Sequence, residues 1–116
     1  MVQMTMQVSE ELAARLRPLG GWLPTVLELS LVGFRTVAAA TAAEVIQFLS
    51  QDPTPQEVFA YHVSERAQTR LQRLLALNTA GMLGEDEQLE LDELQRIEHV
   101  LIMLKAQVAG QVQQER

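Results

Sequence analysis

A mainly helical fold, opened by one short β-strand and closed by a helical hairpin with a long last helix, follows from three features of the sequence. Residues 2–8 read Val-Gln-Met-Thr-Met-Gln-Val, so that Val2, Met4, Met6 and Val8 alternate with Gln3, Thr5 and Gln7. A period of two marks a strand with one apolar face. Two Thr-x-x-Glu signals and repeated Pro/Gly punctuation then divide the middle of the chain into short helices. Finally, Leu91, Leu94, Ile97, Leu101, Leu104 and Val108 recur at spacings of 3, 3, 4, 3 and 4, which is one helical stripe.

After the strand, Ser9 is placed as an N-cap, with Glu10 and Glu11 in the first turn where the helix dipole favours acids. Leu12 and Leu16 share a face, and Pro18 stops this helix early. Gly20-Gly21 is a break. Pro24 suits the first turn of a second helix, whose apolar stripe is Val26, Leu27, Leu31 and Phe34. Thr41-Ala-Ala-Glu44 and Thr54-Pro-Gln-Glu57 both have the form of a capping box. Between them Val45, Ile46, Phe48 and Leu49 predict a short buried helix ending before Asp52-Pro53. Val58, Phe59 and His62 follow at helical spacing. Ser64 re-caps a helix to about Asn78 with Leu71, Leu74 and Leu75 inside. Gly81 and Gly84 bracket a turn, and the last helix runs from about Glu85 to Ala109, on the order of 37 Å. A seam that long packs against the preceding helix, against a second copy of itself, or against both. The expected organisation is a dimerisation segment over residues 1–36 and a helical segment over 37–116, joined in one compact domain.

Composition narrows the function. The chain has 116 residues, 47% of them hydrophobic, and a formal charge of −6. Residues 1–84 hold 7 acids and 6 bases, a net of −1, whereas residues 85–116 hold 8 acids and 3 bases, a net of −5. The acidity therefore belongs to the last helix and suits a basic protein partner better than nucleic acid or an anionic membrane. With no cysteine, disulfides, thiolate metal sites and a cysteine nucleophile are excluded. No signal peptide or membrane span is expected, and a cytoplasmic setting is the simplest reading.

Catalytic, metal and cofactor residues are all expected to be absent. His62 and His99 have no ligand spacing, the serines sit at element ends, and Gly20-Gly21 lacks the lysine of a phosphate loop. The acidic run Glu85, Asp86, Glu87, Glu90, Asp92, Glu93 reads as a solvated face; Glu87, Glu90 and Glu93 are its candidates for holding a partner. Arg66, Arg70 and Arg73 share one helical face, either as a phosphate-contacting edge or, favoured, as ion-pair partners for the acidic start of the next helix. Trp22 closes the core at the mouth of the second helix or anchors a partner.

A single strand in a helical chain leaves its backbone groups open. Pairing with the same strand of a second copy across a two-fold axis would close them. In that homodimer Val2, Met4, Met6, Val8, Leu12 and Leu16 form the dimer core, and Gln3, Thr5 and Gln7 face outward as a polar ribbon.

Residues Val2–Phe34, centred on Met-Thr-Met-Gln-Val-Ser-Glu-Glu-Leu-Ala-Ala-Arg-Leu, resemble a ribbon-helix-helix domain of bacterial repressors and antitoxins. The resemblance implies base reading by Gln3, Thr5 and Gln7, with a phosphate contact near Thr25. The Leu74–Leu83 segment, Glu87, Glu90-Leu91, Leu94 and Leu104-Lys-Ala resemble the tail of small, mainly cyanobacterial proteins with no assigned activity. Together they imply a non-enzymatic, homodimeric regulatory or adaptor protein of antitoxin-like architecture that binds a protein partner, with operator DNA binding as a subordinate reading. The alternative is a structural module of a larger complex without DNA binding.

Overall fold

The computed structural model describes residues 2–33 and 36–114. Its α-helices are α1 (Glu10–Leu16), α2 (Leu23–Ser30), α3 (Ala38–Leu49), α4 (Pro55–Ala60), α5 (Glu65–Thr79) and α6 (Glu85–Gln114), with a 3-10 turn over Arg17–Trp22 between the first two. Phe34, assigned above to the stripe of the second helix, lies outside the described residues.

The mainly helical class stands, but the strand does not. Residues 2–9 have no regular structure, and no β-structure occurs among the described residues. The predicted two-stranded ribbon and the ribbon-helix-helix-like architecture fall with it. Alternation records which side chains would share a face; a strand also needs a neighbouring backbone to receive its N–H and C=O groups. Val2, Met4, Met6 and Val8 are 90%, 85%, 62% and 39% exposed, so the alternating residues face water rather than helices. Leu12 is also exposed and Leu16 half-buried. The residues assigned to a dimer core thus contribute nothing to the core of their own chain.

Helix ends follow local chemistry closely. Ser9 caps α1 by accepting from Leu12 N–H at 3.1 Å. Thr54 and Glu57 form the reciprocal box that opens α4, each bond at 3.2 Å. Ser64 caps α5 by accepting from Ala67 N–H at 3.2 Å. The other expected box is absent: Thr41 lies inside α3 and is buried. The helix starts one turn earlier because the Thr36 hydroxyl accepts from Ala38 N–H at 3.2 Å. The small run Ala38-Ala39-Ala40 has high helix propensity. Helix α4 stops at Ala60, which leaves His62 exposed in the loop that follows.

Gly20 breaks the α1–α2 connection with φ +50°. At the end of α5, Gly81 takes φ +71°. Its amide donates to Asn78 O at 3.0 Å and that of Met82 to Leu77 O at 2.9 Å. This pair of bonds satisfies the last carbonyls and turns the chain into an antiparallel hairpin.

Helix α6 is the axis of the molecule. Its thirty residues span about 45 Å, matching the longest dimension of 46 Å. Every residue of the predicted stripe from Leu91 to Val108 is buried. The seam is covered within the chain: α2, α3, α4 and α5 all pack on α6. Leu29, Val45, Leu49, Val58 and Leu74 from those helices are at most 1% exposed. Residues on both sides of position 36 join this one core, including Leu29, Val32, Ala38 and Ala42.

The amino-terminal part stands apart from it. No residue of α1 is buried, and its main neighbour is the turn that follows it. The radius of gyration, 16.1 Å, exceeds the roughly 13 Å expected of a compact chain this long. Residues 2–16 form an arm attached to a packed body.

Candidate interaction surface

Two features of the surface stand out. The first is the arm, whose residues 2–9 carry no charge and whose apolar side chains are mostly in water. The second is a cleft of about 440 Å³ between α5 and α6 beside the 61–64 connection. Tyr61, Val63, Leu71, Leu75, Leu101 and Ile102 supply its apolar lining, and His62, Gln68, Gln72, Glu98 and Lys105 its polar and charged lining. Leu75 and Ile102 are 39% and 59% exposed.

The 61–64 connection is held in place from both sides. Tyr61 stacks on Phe48 of α3 with ring centroids 4.3 Å apart and planes 21° from parallel. Lys105 of α6 donates to the Tyr61 carbonyl at 2.8 Å. Burial raises the Tyr61 phenol above its ordinary value, and the nearby Glu44 carboxylate raises it further. The cleft wall is thus a fixed feature of the body.

A second groove of about 880 Å³ lies between α3 and α5. Its lining includes Glu44, Glu65, Arg66, Arg70, Arg73 and Glu90. Arg70 Nε donates to Glu90 Oε2 at 2.5 Å across the α5–α6 hairpin. For Arg70 this is the favoured ion-pair reading of the arginine face, made through an acid in the second turn of α6. Arg66 and Arg73 remain exposed.

The acids proposed to hold a partner are engaged inside the molecule. Glu87 Oε1 accepts from Gly84 N–H at 3.2 Å and caps α6. Glu90 is 5% exposed and pairs with Arg70. Glu93 Oε2 accepts from the Thr36 hydroxyl at 2.8 Å and ties α6 to the α2–α3 connection. The exposed acids of α6 include Glu85 and Asp92, and Glu98, which lines the cleft. Trp22 is half-buried and packs against the core cluster.

Gln3, Thr5 and Gln7 are exposed along the arm, whereas Thr25 is half-buried on α2. The structure does not gather these four around one groove-reading element. His62 lies on the rim of the cleft and His99 on the surface of α6. Among the described residues no three histidine or acidic side chains come together to hold a metal ion. No helix there is long and apolar enough to cross a membrane. Comparison with protein-family profiles, with curated proteins and with solved structures finds no match.

The cleft is the feature that sequence reasoning missed. Its signal was faint: Leu75 and Ile102 are apolar residues that widen the helical stripes of α5 and α6 beyond what one neighbour covers. Only the packing of both helices beside the 61–64 connection turns that surplus into a concave surface.

Proposed function

We propose that this chain is a non-enzymatic regulatory or adaptor protein that works as a homodimer and binds other polypeptides, with the 2–16 arm as its contact element. The observation that carries this reading is the arm itself: five apolar side chains, Val2, Met4, Met6, Val8 and Leu12, that the packed body leaves 39–90% exposed. Covering one such side chain is worth about 1.5–3 kcal/mol, so the arm holds enough unused free energy to drive association. The further partner in this reading is a protein effector, a toxin among the candidates. The exposed acids of α6 select a basic one through charge complementarity. A cytoplasmic setting belongs to the same reading, since nothing in the cysteine-free chain depends on an oxidising compartment.

Operator binding through Gln3, Thr5 and Gln7 is subordinate. These residues are exposed, but the first cation along the arm is Arg15, and phosphate contacts supply most of the affinity for duplex DNA.

The test compares the wild-type chain with Met4→Asp/Met6→Asp by light scattering and by affinity capture from native lysate. The expected result is a wild-type dimer that holds a stoichiometric small basic protein, with both properties lost in the variant. Equal capture by both proteins, or stable recovery of both with a large assembly, favours the structural module and counts against the arm. Mobility shift with duplex DNA at low salt, weakened by Gln3→Ala/Gln7→Ala, decides the operator reading.

A further inference from the structure

We propose that the packed body holds a small-molecule site over Thr41, and that its ligand is an uncharged apolar molecule carrying one hydrogen-bonding oxygen. The site includes no residue of the 2–16 arm, so it stands or falls separately from the homodimer.

Thr41 and Glu90 are the buried polar side chains among the described residues, 7% and 5% exposed. Glu90 accepts from Arg70. The Thr41 hydroxyl has no hydrogen-bond partner among the described residues. A helical threonine ordinarily turns its hydroxyl to the carbonyl four residues back, as the exposed Thr79 does to Leu75 O at 3.0 Å. Thr41 makes no such bond to Val37. Yet every side-chain nitrogen or oxygen sealed from solvent among the described residues does have a partner. The Thr41 oxygen must therefore reach the space of the clefts it lines. Thr41, Ala67 and Leu94 line both the α5–α6 cleft and the α3–α5 groove. The two spaces meet over these three residues, and the unsatisfied hydroxyl lies where they join.

The rest of the cleft lining sorts by depth. Its buried residues besides Thr41 are Ala67, Leu94, Ile97 and Leu101, all apolar. His62, Gln68, Gln72 and Glu98 are exposed, so a ligand seated on the buried residues leaves them their water. Lys105 is half-buried and already donates to the Tyr61 carbonyl. A volume of about 440 Å³ falls within the roughly 300–1,000 Å³ of sites for small organic ligands.

Charge selects against an ionised ligand. With histidine counted neutral, the cleft is lined by one acid, Glu98, and one base, Lys105. The groove is lined by Glu44, Glu65 and Glu90 and by Arg66, Arg70 and Arg73. The signs balance in both, so neither draws in a net charge. An ionised group at Thr41 would surrender its hydration for a single neutral hydroxyl. An oxygen on an apolar body surrenders far less and satisfies a buried group that otherwise costs folding free energy.

The probes β-naphthol and naphthalene share one apolar body, with and without the oxygen. Each is titrated into the full isotope-labelled chain, and amide shifts are followed by NMR in the wild type, Thr41→Val and Thr41→Ser. Valine keeps the side-chain shape and removes the hydroxyl; serine keeps the hydroxyl. The expected result is saturable shifts centred on Thr41, Ala67 and Leu94, with β-naphthol bound more tightly than naphthalene by the wild type. Burial alone favours naphthalene, which has no polar group to strip of water, so this order reads the hydrogen bond without any variant. Thr41→Val should weaken β-naphthol about fivefold and leave naphthalene unchanged, and Thr41→Ser should restore most of the loss.

Naphthalene bound as tightly as β-naphthol by the wild type overturns the proposal, as does equal weakening of both probes, or of neither, in Thr41→Val. Shifts confined to residues 2–12 place the probes on the arm and overturn it too. No saturable shift with either probe removes the site.

Discussion

Replacing Arg70 with Met tests whether the α5–α6 hairpin is registered by one ion pair. Glu90 has a side chain 7% exposed, Arg70 one that is 36% exposed, and their closest atoms are 2.5 Å apart. Removing one partner from a fully buried pair costs about 3–5 kcal/mol, because the remaining charge stays desolvated. Arg70 is partly in water, so its loss should cost less, about 2 kcal/mol after allowing for solvent screening. Glu90→Gln keeps the shape and an acceptor beside the guanidinium, and should cost about 1 kcal/mol. The double variant Arg70→Met/Glu90→Gln leaves no buried charge. Its cost should fall short of the summed single costs by about 1 kcal/mol, the signature of direct coupling. Urea unfolding followed by helical circular dichroism measures all three against a total stability of about 5–15 kcal/mol. Additive single costs, with coupling below about 0.3 kcal/mol, would refute the claim that this pair acts across the hairpin. Partner capture by Glu90→Gln should stay at the wild-type level, since the carboxylate faces Arg70 rather than solvent.

Four further outcomes follow from individual contacts. Gly81→Ala should lose about 1 kcal/mol in the same unfolding assay: an added Cβ meets nothing within 4 Å, so the whole cost is the positive φ of +71°. Thr54→Ala removes the hydroxyl that opens α4 and should cost about 1 kcal/mol, with Thr54→Ser restoring most of it. Because Tyr61 ionises at higher pH folded than unfolded, the native state retains its proton longer. Its contribution is complete below the ordinary tyrosine value of about 10 and lost as pH rises through the folded value. Tyr61→Phe should flatten that alkaline decline in a pH series. Deleting residues 2–8 should change monomer stability by less than about 0.5 kcal/mol, since the segment is exposed throughout, while abolishing the dimer.

Local signals were legible wherever the chain could satisfy them with its own near neighbours. Ser9, Thr54 and Ser64 each cap a helix by reaching an amide three residues on, and the Gly81 turn closes α5 by bonds between residues three and five apart. Thr41 shows the limit: its Thr-x-x-Glu pattern is intact, yet tertiary packing buries it inside α3 because Thr36 provides an earlier start. The same limit explains the acids. Glu87, Glu90 and Glu93 look alike in a run of charge, but their places on α6 bring them to Gly84, Arg70 and Thr36, contacts that sequence spacing does not encode.

By itself, the sequence determined the helical punctuation, the buried stripe from Leu91 to Val108, the location of the acidity and the two-faced pattern of residues 2–8. These depend on period, charge count and short-range hydrogen bonds, which are written in neighbouring residues. Only the tertiary structure decided that α6 is covered within its own chain, that a cleft lies between α5 and α6 beside the 61–64 connection, and that residues 2–8 remain unpaired. A strand is a relation between two backbones, and alternation supplies only one of them. The body offers the arm no sheet edge, so its apolar face stays in water until another surface covers it.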